Sequence, residues 1–140
     1  MTGVVKAEVT SAPLELAEHE RLVSLATAGA VVSFAGVVRD HDHGRSVTSL
    51  DYEAHPGAAE VLQQVAEEIA KDPAVQAVAV SHRVGPLGIG DVALAAAVSC
   101  AHRGEAFDAC RRLVDEAKAR LPIWKHQRFA DGTDEWVNCP

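Results

Sequence analysis

Cysteine is scarce in this chain: Cys100, Cys110 and Cys139 are the only three in 140 residues. Odd in number and without Cys-x-x-Cys spacing, they argue against a disulfide framework and a structural zinc site. Cys100 and Cys110 fall in apolar patterns that read as core, and Cys139 is exposed by position alone. Long apolar runs are missing too: none approaches the roughly 20 residues a membrane span needs. The first residues, Met1-Thr-Gly-Val-Val-Lys-Ala-Glu8, lack the apolar core of a signal peptide. Together these absences predict a cytoplasmic protein. Positive charge is in deficit, with 13 Lys+Arg against 20 Asp+Glu and a net charge of −7, which disfavours a general nucleic-acid role. Two further motifs are incomplete. Gly85-Pro-Leu-Gly-Ile-Gly90 has glycines but no phosphate-loop lysine and serine. His41-Asp-His43 resembles a metal pair with no third ligand, so no metal site is expected.

What is present is ordinary in bulk and uneven in detail. Apolar residues make up 48% and charged residues 24%, the composition of a soluble globular protein, and the length fits a single domain over 1–140. The few basic residues crowd the last third: Arg103, Arg111, Arg112, Lys118, Arg120, Lys125 and Arg128. That bias predicts a local positive site on a negative body.

Periodicity gives the elements. Val4–Val9 alternates as a half-buried strand, and Ser11 with Pro13 opens a helix to about Leu25. Ala30–Val38 is an apolar, valine-rich run that reads as a buried strand. Across the polar loop 39–45, Val47–Ala54 alternates and is expected to pair with it as a hairpin. Pro56 starts a helix to about Lys71, with Val61, Leu62, Val65, Ala66 and Ile69 along one face. Strands follow at Val75–Val84 and Val92–Ala101. The helix Glu105–Arg120 is expected to carry Phe107, Cys110, Val114 and Leu121 inward, and short strands at Ile123–Phe129 and Glu135–Val137 flank the Asp131-Gly132 turn. Strands arrive both in adjacent pairs and across helices, so the fold class is α+β, a mixed, largely antiparallel sheet with three helices.

Chemistry concentrates around the run Lys118-Ala-Arg-Leu-Pro-Ile-Trp-Lys125. Pro122 cannot continue a helix, so the chain must turn near Leu121. Lys118 lies about 5 Å back along the helix and Lys125 about 10 Å along extended chain. Both amines can therefore reach one anion-binding spot if the segment folds back. A lysine beside an apolar helix face otherwise snorkels to water, and Lys125 could equally be a solvated strand residue. Arg39 ends an apolar strand, where a guanidinium can clamp phosphate, although a plain surface arginine is the commoner case. His102-Arg103 ends a strand where a helix begins, a ready phosphate site, or simply a cap. Trp124 and Trp136 read as packing residues.

In combination, Gly29-Ala-Val-Val-Ser-Phe-Ala-Gly-Val-Val-Arg39, Leu50-Asp-Tyr-Glu-Ala54, His82-Arg83-Val-Gly-Pro-Leu87, His102-Arg103, the two-lysine run, Asp131-Gly132 and Trp136-Val137 resemble the family of molybdopterin synthase large, catalytic subunits over nearly the whole chain. The resemblance implies a hammerhead-like fold. It also implies a sulfurtransferase that converts cyclic pyranopterin monophosphate to molybdopterin in molybdenum cofactor biosynthesis. Its two sulfurs would arrive as a thiocarboxylate on the Gly-Gly tail of a small ubiquitin-like carrier subunit. It implies a homodimer with a carrier at each far end, a heterotetramer overall, with no cofactor and no need for a cysteine on this subunit. Carried over residue by residue, Lys118 and Lys125 are the catalytic pair, and Arg39, His102 and Arg103 hold the substrate and its phosphate. Phe34, Val37, Val38, Val114, His126 and Gln127 are the expected pocket lining. A different class stays open on the residues alone: a non-catalytic module that binds a phosphorylated metabolite in the same cationic pocket.

Overall fold

The computed structural model describes residues 2–138; Cys139 lies outside the described residues. In chain order the elements are β1 (Gly3–Thr10), α1 (Leu16–Val23), β2 (Ala30–Val37), β3 (His41–Asp42), β4 (Arg45–Ala54), α2 (Ala58–Ala70), β5 (Val75–Arg83), β6 (Gly85–Leu87), β7 (Val92–Cys100), α3 (Arg103–Arg120), β8 (Ile123–Phe129) and β9 (Asp134–Asn138). The α+β class with mixed, largely antiparallel sheets and three helices is as the sequence predicts.

Two sheets share one core. The first has the order β1-β5-β7-β2; β1 and β5 run parallel, and the other pairs antiparallel. The second has β3-β4-β8-β9, with β6 added against β4. The central strand β7, Val92-Ala-Leu-Ala-Ala-Ala-Val-Ser-Cys100, is buried almost throughout, and its small side chains let helices approach on both faces. Leu94, Ala96, Val98 and Cys100 join Leu62, Val65, Leu113 and Ile123 in the main core under α2 and α3. On the opposite face Ala77, Ala79 and Ala97 pack on Val23 of α1. There His19 donates from Nδ1 to the Glu15 carbonyl at 2.7 Å. Its bare Nε2 accepts from the Ser81 hydroxyl at 2.7 Å, so a buried polar pair ties α1 to the sheet at no unsatisfied cost.

Several expectations are corrected. The hairpin between β2 and β4 does not form. β2 pairs with β7, Phe34 opposite Ala96, while β4 pairs with β8, Tyr52 opposite Lys125. The intervening loop makes its own hairpin, His41–Asp42 on Arg45–Ser46, through His43 and Gly44, both at positive φ, as a two-residue primed turn requires. The connection after β5 contributes the short strand β6. The first helix starts later than expected, at Leu16. Phe107 is 62% exposed rather than inward. The buried stripe of α3 is Ala106, Ala109, Cys110, Leu113, Val114 and Ala117, and Phe107 lies at its outer edge, about 20° beyond Val114 around the helix. Trp124 and Trp136 are also partly exposed, at 38% and 52%. Cys100 and Cys110 are free and buried, as read from their apolar settings.

Candidate functional site

A cavity of about 290 Å³ opens where the two sheets meet the carboxyl end of α3. Each wall has a local cause. α3 ends at Leu121 because Pro122 supplies no N–H and forces extended backbone before it; Leu121 is indeed extended, at φ −67 and ψ 126. This leaves exposed Lys118 in the last turn, while β8 returns Lys125 along β4 to the same cavity. From the other side, the β2–β7 register slips between Gly36 and Val37. A bulge of this kind re-aims a strand end, and here the residues after it, Val37 and Arg39, line the cavity. Tyr52, His82, Ala93 and Leu94 complete the lining.

The electrostatics are one-sided. Arg39 and the pair Lys118 and Lys125 bring three cationic side chains from two distant stretches of sequence to a cavity whose lining contains no carboxylate. The nearest acidic control is Asp42, which pairs with Arg39 at 3.3 Å. A hydrogen bond from Gln127 holds the Asp42 carboxyl below the usual carboxylate range, helped by the charges of His43, Lys125 and Arg39. Asp42 therefore stays ionised and anchors the arginine. His82 is fully buried; burial pushes its imidazole down to about 4, and the charge of Lys118 adds to the effect. It is a neutral group at working pH. Such a cavity can bind a dianionic phosphate or a carboxylate-like anion and stabilise negative charge developing beside it.

The sequence-predicted residues divide into groups. Arg39, Lys118, Lys125 and Val37 come together. Phe34 and Val114 instead line a separate, more open groove of about 330 Å³ with Val32, Phe107 and Cys110. Val38 turns inward, 5% exposed, as part of the main core. His126 lies one residue from Lys125 and so on the other face of the strand. There it stacks on Trp136, centroids 4.3 Å apart, and pairs with Asp134 at 2.6 Å. Gln127 shares the face of Lys125 but spends its amide on Asp42 at 2.7 Å and Glu135 at 3.1 Å. His102 and Arg103 are exposed at the amino end of α3. Along the helix that is about 22 Å from Lys118 at 1.5 Å per residue, so within one chain they do not reach the cavity. Tyr52 and His82 were missed as lining. The one usable signal was the alternation of β4, which gives Tyr52 a fixed face but not its neighbour.

The chain is similar to known proteins in both sequence and fold. The sequence model of the family described as "MoaE protein" matches residues 9–120. A "Molybdopterin synthase catalytic subunit" of Nostoc sp. is 42% identical over 93% of this chain and 80% of its own. "Molybdopterin synthase catalytic subunit 1" of Mycobacterium tuberculosis is 40% identical over 92% of this chain and 88% of its own. Among solved structures, molybdopterin synthase from Staphylococcus aureus superposes with a TM-score of 0.85 at 34% identity, covering 93% of this chain and 95% of that one.

Proposed function

Because the chain belongs to the MoaE family, we propose that it works as the catalytic subunit of a molybdopterin synthase, a sulfurtransferase of molybdenum cofactor biosynthesis. The observation that carries the reading to these residues is the convergence of Arg39, Lys118 and Lys125 on one cavity. Both reactants are anions: the substrate, cyclic pyranopterin monophosphate, through its phosphate, and the sulfur donor through its thiocarboxylate. Three fixed cations hold the two anions together against their mutual repulsion.

In this mechanism Arg39, braced by Asp42, binds the substrate. Lys118 holds the carbonyl or thiolate end of the carrier tail and assists proton transfer as the pterin ring opens. Lys125 stabilises the negative charge that develops beside it. The partner is a small ubiquitin-like carrier whose extended Gly-Gly tail is narrow enough to enter the cavity. A homodimer gives His102 and Arg103 a role as phosphate ligands, because only a second copy can bring that pair to a cavity a helix length from its own. No helix of the described residues is long and apolar enough to cross a membrane. The two free buried thiols, Cys100 and Cys110, suit a reducing compartment, and we assign the protein to the cytoplasm.

The test is reconstitution: purified chain, thiocarboxylated carrier and cyclic pyranopterin monophosphate, with detection of the dithiolene product. Product that appears only with all three supports the reading. Binding of the pterin phosphate without any turnover would refute it in favour of a non-catalytic metabolite-binding module.

A further inference from the structure

The floor of the cationic cavity holds a group of the opposite hydrogen-bonding sense. Alternation along β5 places Val78, Val80 and His82 on one face, toward the core shared with α3. His82 Nδ1 lies 2.8 Å from the Arg83 carbonyl oxygen. A carbonyl can only accept, so Nδ1 carries the hydrogen. In the neutral ring, Nε2 is then a bare lone pair. The ring plane is fixed by Tyr52, which stands edge-on at 81° with centroids 4.9 Å apart.

That lone pair has no hydrogen-bond partner. Among the described residues three buried side-chain atoms share this condition, namely His82 Nε2, Arg83 Nε and Ser99 Oγ, and of their residues His82 is the one that borders the cationic cavity. A buried acceptor left unmatched costs about 1–3 kcal/mol, and native structures keep few of them without a use. The three charged side chains around the cavity, Arg39, Lys118 and Lys125, are donors. A ligand that satisfies the whole cavity must therefore carry an anionic group at one end and an N–H or O–H donor at the other.

We propose that His82 Nε2 is a substrate-binding acceptor: it takes a hydrogen bond from an N–H or O–H of the bound heterocycle and so selects a donor-bearing ring over a bare phosphate ester. The inference rests on the functional reading above and deepens it, since a pterin monophosphate offers both features. His82 orients the ring; it is not the base of the reaction, because its imidazole is a poor proton acceptor at working pH. The role is one of uniform binding, which changes KM more than kcat.

The experiment compares wild type with His82→Phe, His82→Gln and His82→Asn, each with the carrier subunit. Steady-state turnover of cyclic pyranopterin monophosphate is measured, and inorganic phosphate affinity serves as the anion control. Gln carries an acceptor about as far out as Nε2, whereas Asn does not reach it. The expected result is a KM raised about 10- to 100-fold in the Phe and Asn variants, as for loss of one buried hydrogen bond. Their kcat should stay within roughly threefold, phosphate affinity should be unchanged, and Gln should recover most of the loss. In wild type, the His82 Nε2 signal in nitrogen NMR should move on adding the pterin phosphate but not on adding phosphate. A folded Phe variant with wild-type KM overturns the inference. If Phe does not fold, equal KM values for Gln and Asn overturn it. A wild-type chain that makes no product refutes the functional reading, and the inference with it.

Discussion

Gln127 donates a hydrogen bond to Asp42 at 2.7 Å across 85 residues of sequence, and Asp42 in turn pairs with Arg39 at 3.3 Å. A buried amide thus positions a cavity cation through an intermediate carboxylate. Gln127→Leu keeps the volume and removes the donor, leaving Asp42 and Glu135 unanchored. The expected outcome is a rise in substrate KM of roughly tenfold, from an Arg39 that is present but no longer held. Gln127→Glu would place a third carboxylate beside Asp42 and Glu135 and should be worse. Steady-state kinetics on both variants, with folding checked by circular dichroism, decide it.

Lys118→Ala is expected to abolish dithiolene formation while leaving the fold and carrier binding nearly intact, because the side chain is exposed at the cavity. Lys125→Ala should lower turnover by about 10²-fold or more, the scale for losing one charge-stabilising donor. Near-normal product from Lys118→Ala would refute its assigned role.

Mixed dimers test whether the site is shared between two copies. Arg103→Ala and Lys118→Ala chains should each be inactive alone. Mixed after denaturation and refolding, they should regain roughly a quarter of wild-type turnover, since half of the dimers are mixed and each then holds one intact site. No recovery would confine both residues to one chain's site, and an active Arg103→Ala chain would remove Arg103 from it.

Acid should act on stability through His82. The unfolded imidazole titrates at its ordinary 6.5, whereas burial holds the folded one at about 4. The unfolded state therefore binds the extra proton first. Stability is at its full value above pH 6.5 and is lost progressively as pH falls toward 4, by about 3 kcal/mol at 1.36 kcal/mol per pH unit. Urea unfolding at several pH values should show a steeper loss in wild type than in His82→Phe over that window. Parallel curves would show that the group does not contribute.

Gly29→Ala should destabilise without touching the cavity. A Cβ at this position would meet the Ala101 carbonyl oxygen at 2.5 Å, backbone that cannot swing aside, where β2 begins beside the end of β7. An overpacking loss of about 1–3 kcal/mol is expected, measured as a lower denaturation midpoint with unchanged kinetic constants at 25 °C.

Legibility followed the range of the forces involved. The helix face of α2, the central run of β7 and the break at Pro122 were readable because period and proline geometry act within a few residues. Arg39, Lys118 and Lys125 were singled out by their positions at element ends and by the family resemblance. Phe34, Val38, Val114, His126 and Gln127 do not line that cavity, since neighbours in sequence alternate faces along a strand and a helix face can open on another groove. Tyr52 and His82 were passed over for the converse reason: their place depends on which strands pair.

Alone, then, the chain of residues determined its elements, its acidic balance and the cluster of cations near its end, because these follow from local backbone preference and composition. Only the tertiary structure decided that β2 crosses to β7, that β4 and β8 set Tyr52 opposite Lys125, and that buried His82 borders the cavity of three cations. Strand register is set by the whole core seeking burial at once, and no window of sequence contains that sum.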